Sequence, residues 1–285
     1  MVAIPTPSLP KGLTFNTVET MIRTQGFPVQ PHGRVASSFR LQAGVTTRIL
    51  QRQNTSMLNG YKAVFFDVGG TLLRVYPSVG EVYARHARAY GFDGSAQALN
   101  KQFSVEWKNL GGLEGLGKKK GPAVEKEFWR TLVRQTFEPF GGLKNFDAYF
   151  AHIYDVFRDA SSWRVYEDVL ESGILNTLKN RGIVLGVISN WDSRLPQILK
   201  NTGLAEYFQF ILASTVVGSA KPDAGIFEEA LRLSGIPADQ ACHIGDEVHT
   251  DFEGARNAGL HAILIDRKGG PHRVTPQIKS FRELV

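Results

Sequence analysis

Cysteine is almost absent from this chain: its 285 residues include a single one, Cys242. An internal disulfide framework is therefore excluded, and the setting of Cys242 in ACHIG favours a buried, inert thiol over a nucleophile. Long apolar runs are also missing, because no stretch approaches the roughly 18 residues of a membrane span. We therefore expect no membrane partner.

Acidic residues are scarce in one region, residues 1–60, where six Lys or Arg residues accompany a single acid, Glu19. This region holds a net charge of +5 out of the +6 of the whole chain, so the remainder is close to neutral. The basic character therefore belongs to the N-terminal region and does not indicate a nucleic-acid partner.

Residues 1–58 are rich in Ser and Thr, spaced with Arg, and they lack the compact apolar segment of a secretory signal. This composition is typical of an organellar transit peptide. The abundance of Ser and Thr favours the chloroplast over the mitochondrion. The alternative is a disordered cytosolic leader, which would make the protein cytoplasmic.

From residue 61 onward, short β-branched and aromatic runs alternate with helical patterns. Strands are predicted at 64–66, 183–189, 208–213, 242–246 and 262–266, and helices at 168–182, 192–202, about 222–234 and 251–258. This alternation predicts an α/β fold in which a parallel sheet carries helices on both faces.

A helical insert of about 90 residues interrupts the alternation after the first strand. Helices are predicted at 79–91, 95–109, 123–138 and 145–159, with no strand between them. We expect this block to be a lid, packed by Trp107, Trp129 and Trp163. Lys118–Lys120 lie in its glycine-rich loop, either as solvated residues or as a basic lip that faces the substrate.

Polar residues follow several of the predicted strands: Asp67 with Thr71, Ser189 with Asn190, Lys221, and Asp246 with Asp251. The carboxyl ends of parallel strands share one edge of a sheet, where open α/β folds bind ligands. Phosphoryl transfer through an aspartyl intermediate needs these residue types: a carboxylate nucleophile, a lysine, a hydroxyl, and carboxylates for a divalent cation.

Each residue also has a structural interpretation. Ser189 could cap the following helix, Lys221 could be a surface lysine, and Asp251 could be a helix N-cap. Asp246 and Asp251 are expected in solvated loops, where they could hold Mg²⁺ directly or through water.

The motifs FFDVGGTLL, VISN, AKPDAGIF and GDEVHTDFEGARNAG resemble those of the haloacid dehalogenase superfamily, in the subclass with a helical cap, over residues 61–268. The resemblance implies a Rossmann-like core, 61–75 and 166–285, with an all-helical cap at 76–165. It implies Asp67 and Lys221 as catalytic residues, and Thr71, Ser189 and Asn190 as phosphate-binding residues. It also implies Mg²⁺ held by Asp67, the Gly69 carbonyl, Asp246 and Asp251.

One position departs from the family pattern. Its phosphatases normally carry a second aspartate two residues after the nucleophile as general acid and base, and here that residue is Gly69. Because general acid–base help contributes typically 10²–10⁴-fold, its loss predicts a slow enzyme. His249 and Lys118–Lys120 are candidate substitutes.

Three functions follow from these observations. The first is a Mg²⁺-dependent phosphatase of a small phosphorylated metabolite. The second is a feeble or inactive member that binds a ligand or a protein, which Gly69 supports. The third is a metal-independent dehalogenase, which the acidic GDEVHTD motif disfavours.

Overall fold

A computed structural model describes residues 57–285. The predicted leader, 1–58, lies almost entirely outside these residues, so its assignment as a transit peptide stays a prediction. Among the described residues, no helix is both long and apolar enough to cross a membrane.

Six parallel strands form the central sheet, in the order β5-β4-β1-β6-β7-β8. Their bounds are β1 Ala63–Phe66, β4 Val184–Ser189, β5 Phe210–Ala213, β6 Ala241–Gly245, β7 His261–Ile265 and β8 Gln277–Ile278. β1 lies at the centre and is fully buried, because helices cover both faces of the sheet. Fold class and sheet are as predicted, apart from β8, which the sequence analysis missed.

The helices of the core connect these strands. They are α5 Glu167–Ser172, α6 Ile174–Asn180, α7 Leu195–Asn201, α8 Ser214–Val217, α9 Ala224–Ser234 and α10 Gly254–Asn257. Alternate residues of β1 point to opposite faces, so that Val64 and Phe66 join one hydrophobic cluster while Ala63 and Phe65 join the other.

Two helix predictions were wrong. The single helix expected at 168–182 is two helices, because Gly173 adopts a left-handed φ of 62° and ends α5. The helix expected at 251–258 begins earlier and starts as a π-helix, Val248–Glu253, before α10. The wider turn of a π-helix recurs at functional sites, and this one contains Asp251.

Four further helices lie between residues 79 and 156 and pack on a hydrophobic cluster of their own. They are α1 Val79–Ala87, α2 Ala96–Asn109, α3 Pro122–Phe137 and α4 Phe146–Val156. We call this set the cap helices. Ser78 and Ser95 cap the first two through their hydroxyls, and Pro122 begins the third.

A two-stranded antiparallel sheet joins the cap helices to the core. Its strands are β2 Leu73–Val75 and β3 Trp163–Val165, which the sequence analysis did not predict. Because β2 enters the cap helices and β3 leaves them, the pairing brings both connections to the same place, beside the loop that follows Asp67. The predicted domain limits, 76–165, stay a prediction.

Candidate active site

Asp67 directly follows β1, and the residue is only 6% exposed. Its Oδ1 accepts hydrogen bonds from the Ser189 hydroxyl at 2.8 Å and from Lys221 Nζ at 2.7 Å. Ser189 ends the neighbouring strand β4, which runs parallel to β1, and this brings the two side chains to one edge of the sheet. The sheet itself therefore creates the arrangement.

Lys221 is 1% exposed and binds two carboxylates, those of Asp67 and Asp251. Burial lowers the pKa of a lysine, but these two anions outweigh it and hold the pKa of Lys221 above its usual range. The lysine is therefore charged at neutral pH. Interpreting it as a surface lysine is wrong.

Asn190 positions Lys221 rather than standing open to solvent. Its Oδ1 accepts from Lys221 N at 2.8 Å, and its Nδ2 donates to Lys221 O at 2.8 Å. The same Nδ2 donates to Glu114 Oε1 at 3.0 Å, which links the loop after α2 to the core. A direct phosphate contact from Asn190 stays a prediction.

Asp251 lies within the π-helix and is 2% exposed, so it is neither an N-cap nor solvated. Its Oδ1 accepts from Lys221 and lies 2.8 Å from His243 Nε2, and its Oδ2 accepts from Glu247 N at 3.0 Å. Burial raises the pKa of a carboxyl, but Lys221 and His243 outweigh it and hold the pKa of Asp251 below its usual range.

His243 is a site residue that the sequence analysis missed. It lies on β6, fully buried, with its ring 5.4 Å from that of Phe227. Burial lowers the pKa of His243, so a neutral ring donates from Nε2 to the ionised Asp251. The sequence ACHIG contains no sign that distinguishes this histidine from its apolar neighbours. A histidine that only fills the core and one that bonds to a carboxylate of the site look the same in sequence.

Asp246 completes a cluster of three carboxylates. One ligand oxygen from each of Asp67, Asp246 and Asp251 lies within 4.8 Å of the others. Thr71 donates a long hydrogen bond of 3.4 Å to Asp246 Oδ1. Burial, together with the charges of Asp67 and Asp251, raises the pKa of Asp246 to about 8. The oxygens of this cluster are of the kind that suits a hard divalent ion.

The two glycines that follow Val68 differ in whether a side chain could replace their hydrogen. Gly70 has a φ of 79°, and a Cβ there would lie 2.1 Å from Asp246 Oδ2. Gly69 has an ordinary φ, and a Cβ there would lie 3.3 Å from Trp191 Cζ3. A left-handed residue in contact with the carboxylate must be glycine, whereas Gly69 is open to substitution.

A cavity of about 850 Å³ lies above these residues, between the cap helices and the core. Its lining includes Asp67, Lys221 and Asp246 and also His249, which is exposed and close to Glu253. Lys118–Lys120 are not among its lining residues, and a basic lip that faces the substrate stays a prediction. Trp107 and Trp129 pack against each other in the cap, whereas Trp163 lies on β3 and packs against Trp191.

A family model for haloacid dehalogenase-like hydrolases matches residues 61–259. The chain belongs to this family. A relative from Bos taurus, haloacid dehalogenase-like hydrolase domain-containing protein 3, is 36% identical over 224 residues, 75% of this chain and 84% of that protein. The phosphoserine phosphatase of Thermus thermophilus is 32% identical over 157 residues, 55% of this chain and 59% of that enzyme.

Solved structures share the fold. The HAD-hydrolase YfnB from Bacillus subtilis, solved bound to magnesium, superposes with a TM-score of 0.63 at 18% identity and covers 79% of this chain and 96% of its own. At that identity the likeness establishes the fold alone. The family model confirms the predicted hydrolase family, and the shared fold confirms the predicted Rossmann-like core.

Proposed function

We propose that this hydrolase is a Mg²⁺-dependent phosphatase of a small phosphorylated metabolite, with Asp67 as the nucleophile. The observation that carries the proposal is the buried Asp67, bonded to Ser189 and Lys221 on Oδ1 alone. Among the described residues, Oδ2 has no hydrogen-bond partner, so it is the oxygen available for attack on phosphorus. A phosphatase relative, the Thermus enzyme, supports the reaction class.

The acidic cluster fits a magnesium ion. Both oxygens of Asp251 already accept from protein donors, so Asp67, Asp246 and the Gly69 carbonyl suit direct ligation while Asp251 suits contact through water. Bound there, Mg²⁺ would neutralise charge between the nucleophile and the phosphate. The magnesium bound by YfnB supports the same ion here.

Lys221 and Ser189 supply the remaining charge and hydrogen bonding. Lys221, charged and held between Asp67 and Asp251, stabilises the negative charge on the transferred phosphoryl group. Ser189 keeps Asp67 oriented, because its hydroxyl donates to the oxygen that does not attack. Once the aspartyl phosphate forms, water must hydrolyse it without an acidic side chain at position 69.

A panel of phosphate esters, assayed on the full-length protein with and without Mg²⁺, tests the proposal. We expect Mg²⁺-dependent release of phosphate that Asp67→Asn abolishes while thermal unfolding stays cooperative. Activity that survives in Asp67→Asn would contradict the assigned nucleophile.

A second function is favoured by Gly69, which offers no group to protonate a leaving group. The protein would then hold a phosphorylated ligand without turning it over. Tight Mg²⁺-dependent binding of inorganic phosphate, together with no turnover of any ester in the panel, would identify this function instead.

A further inference from the structure

The cavity above Asp67 is much larger than a phosphate group. Its volume of about 850 Å³ falls in the upper part of the range for small-molecule sites, roughly 300–1,000 Å³. The phosphoryl group occupies the end near Asp67 and Lys221. The rest of the space must therefore accommodate the organic part of the substrate.

Aromatic rings form a large share of the wall of that larger part. Nine of the described residues that line the cavity are aromatic, and they come from both the cap helices and the core. Trp163 and Trp191 lie with ring centroids 5.1 Å apart on the core side, and Trp107 and Trp129 lie 5.7 Å apart on the cap side. All four are only partly buried, so ring surface faces the cavity.

Several polar groups on this wall already have partners. Trp129 Nε1 donates to Asp192 at 2.7 Å, and Trp163 Nε1 donates to the Phe157 carbonyl at 2.9 Å. The Arg194 guanidinium donates to both Asp192 oxygens and to the Tyr154 carbonyl. These groups hold the rings in place and are not available to the hydroxyls of a sugar or polyol.

Trp191 lies beside Gly69, the residue two positions after Asp67. Its Cζ3 would be 3.3 Å from a Cβ on Gly69, so the indole covers the position that carries an acidic side chain in family phosphatases. A leaving group there meets an aromatic surface instead of a proton donor. Such a site suits a group that packs against the ring and departs without being protonated.

From these contacts we propose that the natural substrate is a phosphate monoester of an aromatic hydroxyl, an aryl phosphate. The proposal rests on the proposed phosphatase function. Asp67 forms a bond to phosphorus while the bond from phosphorus to the aryl oxygen breaks, and the electron pair leaves with a resonance-stabilised aryloxide. Water then cleaves the aspartyl phosphate, which restores Asp67 and releases phosphate and a proton.

Binding of non-hydrolysable phosphonates to the full-length protein in Mg²⁺ tests the substrate class without requiring turnover. Benzylphosphonate and cyclohexylmethylphosphonate have nearly the same size and charge but differ in aromaticity, and inorganic phosphate reports on the phosphate site alone. We expect benzylphosphonate to bind about fivefold to tenfold more tightly than the saturated analogue, as offset ring stacking predicts.

Two variants test whether Trp191 causes the tighter binding of benzylphosphonate. Trp191→Leu should remove most of it while leaving the affinity for inorganic phosphate within twofold, and Trp191→Phe, which retains a ring, should keep most of it. If Trp191→Leu fails to fold, the ratio of the two phosphonate affinities in the unaltered protein decides the proposal.

The outcomes distinguish an error in the substrate class from an error in the phosphatase function. Equal affinity for both phosphonates, with inorganic phosphate bound and esters hydrolysed, would overturn the aryl substrate and leave the phosphatase in place. No binding of phosphate or phosphonates and no ester hydrolysis would overturn both.

Discussion

Gly69 tolerates a side chain in its backbone conformation, since its φ lies outside the left-handed region. Gly69→Asp would return a titratable group beside Asp67, at the cost of a small shift of the Trp191 ring. We expect the hydrolysis of alkyl phosphates, whose alkoxides need protonation, to rise about tenfold or more, with little change for p-nitrophenyl phosphate. Steady-state rates on the two ester classes measure this.

Gly70→Ala is the matched control for that substitution. Its Cβ would lie 2.1 Å from Asp246 Oδ2 on a backbone with φ of 79°, so both the loop and the carboxylate must move. We expect loss of activity on every ester. Equal gains from both variants would show that position 69 has no special relation to the leaving group.

Asp246 is the carboxylate whose protonation should control metal binding. Its pKa of about 8 in the metal-free protein means that Mg²⁺ must displace a proton at neutral pH. We expect the Mg²⁺ dissociation constant to rise as pH falls below 8, approaching tenfold per pH unit, and Asp246→Asn to weaken binding strongly at every pH. Calorimetric titration at several pH values measures both effects.

The same pKa has a consequence for stability. Because the folded-state pKa of Asp246 is raised above the unfolded value, the folded protein binds the proton more tightly. Without metal, Asp246 should therefore lower the free energy of unfolding as pH rises from about 4 towards 8. Saturating Mg²⁺ should reduce this loss. A Tm that rises over this interval in chelator would contradict the assignment.

At the scale of elements, the C-terminal segment supports the nucleophile loop. Arg267 donates to the carbonyls of Gly70 at 3.1 Å and Thr71 at 2.7 Å, and it pairs with both oxygens of Asp168. Asp168 in turn accepts from the Ser280 hydroxyl and from Phe281 N. One carboxylate of α5 thus ties the chain after β7 to the loop after β1.

Arg267→Ala should therefore disturb catalysis as well as stability. We expect kcat to fall more than KM rises, because the loop that carries Asp67 loses its support, and the free energy of unfolding to fall by about 2–4 kcal/mol. Arg282→Ala is the control, since its ion pair with Glu171 is exposed and screened by solvent, so its loss should change the free energy of unfolding much less. Equal effects of the two variants would contradict a positioning role.

The elements that sequence patterns predicted share a physical basis. The strands at 64–66 and 183–189 are continuous β-branched and apolar runs, as expected for strands buried on both faces. β2 and β3, with three residues each, are too short to show a periodicity. Gly173 was not recognised as a break, because a single glycine inside a helical pattern does not reveal its φ.

Much of the candidate site could be predicted, because Asp67, Ser189, Lys221, Asp246 and Asp251 belong to motifs at strand ends. Arg267 could not, because it contacts a loop 197 residues away along the chain and belongs to no pattern. The burial of Asp251 was missed for a related reason. Its partners His243 and Lys221 become neighbours only when the sheet forms.

At the scale of the whole molecule, a buried acid holds the cap helices against the core. Glu125 on α3 is fully buried and accepts from Ser193 N at 3.2 Å, from the Ser193 hydroxyl and from the Thr215 hydroxyl. Ser193 lies in the loop after β4 and Thr215 lies in α8, which follows β5, so this carboxylate contacts two separate segments of the core.

Glu125→Ala should loosen the cap helices, because it leaves buried donors without an acceptor. We expect a loss of about 1–3 kcal/mol in the free energy of unfolding and a KM that rises more than kcat falls. Glu127→Ala, an exposed position on the same helix, should change the stability by less than about 0.5 kcal/mol. Denaturant unfolding and steady-state kinetics test the pair.

For the leader, we propose organellar import, with cleavage upstream of about Tyr61. The scarcity of acid and the Ser, Thr and Arg content of residues 1–58 support it. Mass spectrometry of the protein from its own cells should find a mature N-terminus between about residues 50 and 61. An intact N-terminal region on the mature protein would contradict the proposal.

The contact between Trp191 and the α-carbon side of Gly69 links two positions that are 122 residues apart in sequence order. A side chain at 69 would press on the edge of the indole at 191, so the residue types at the two positions should vary together among homologues. Homologues that carry an acid at 69 should show a smaller residue at 191, and those with glycine should retain a large ring.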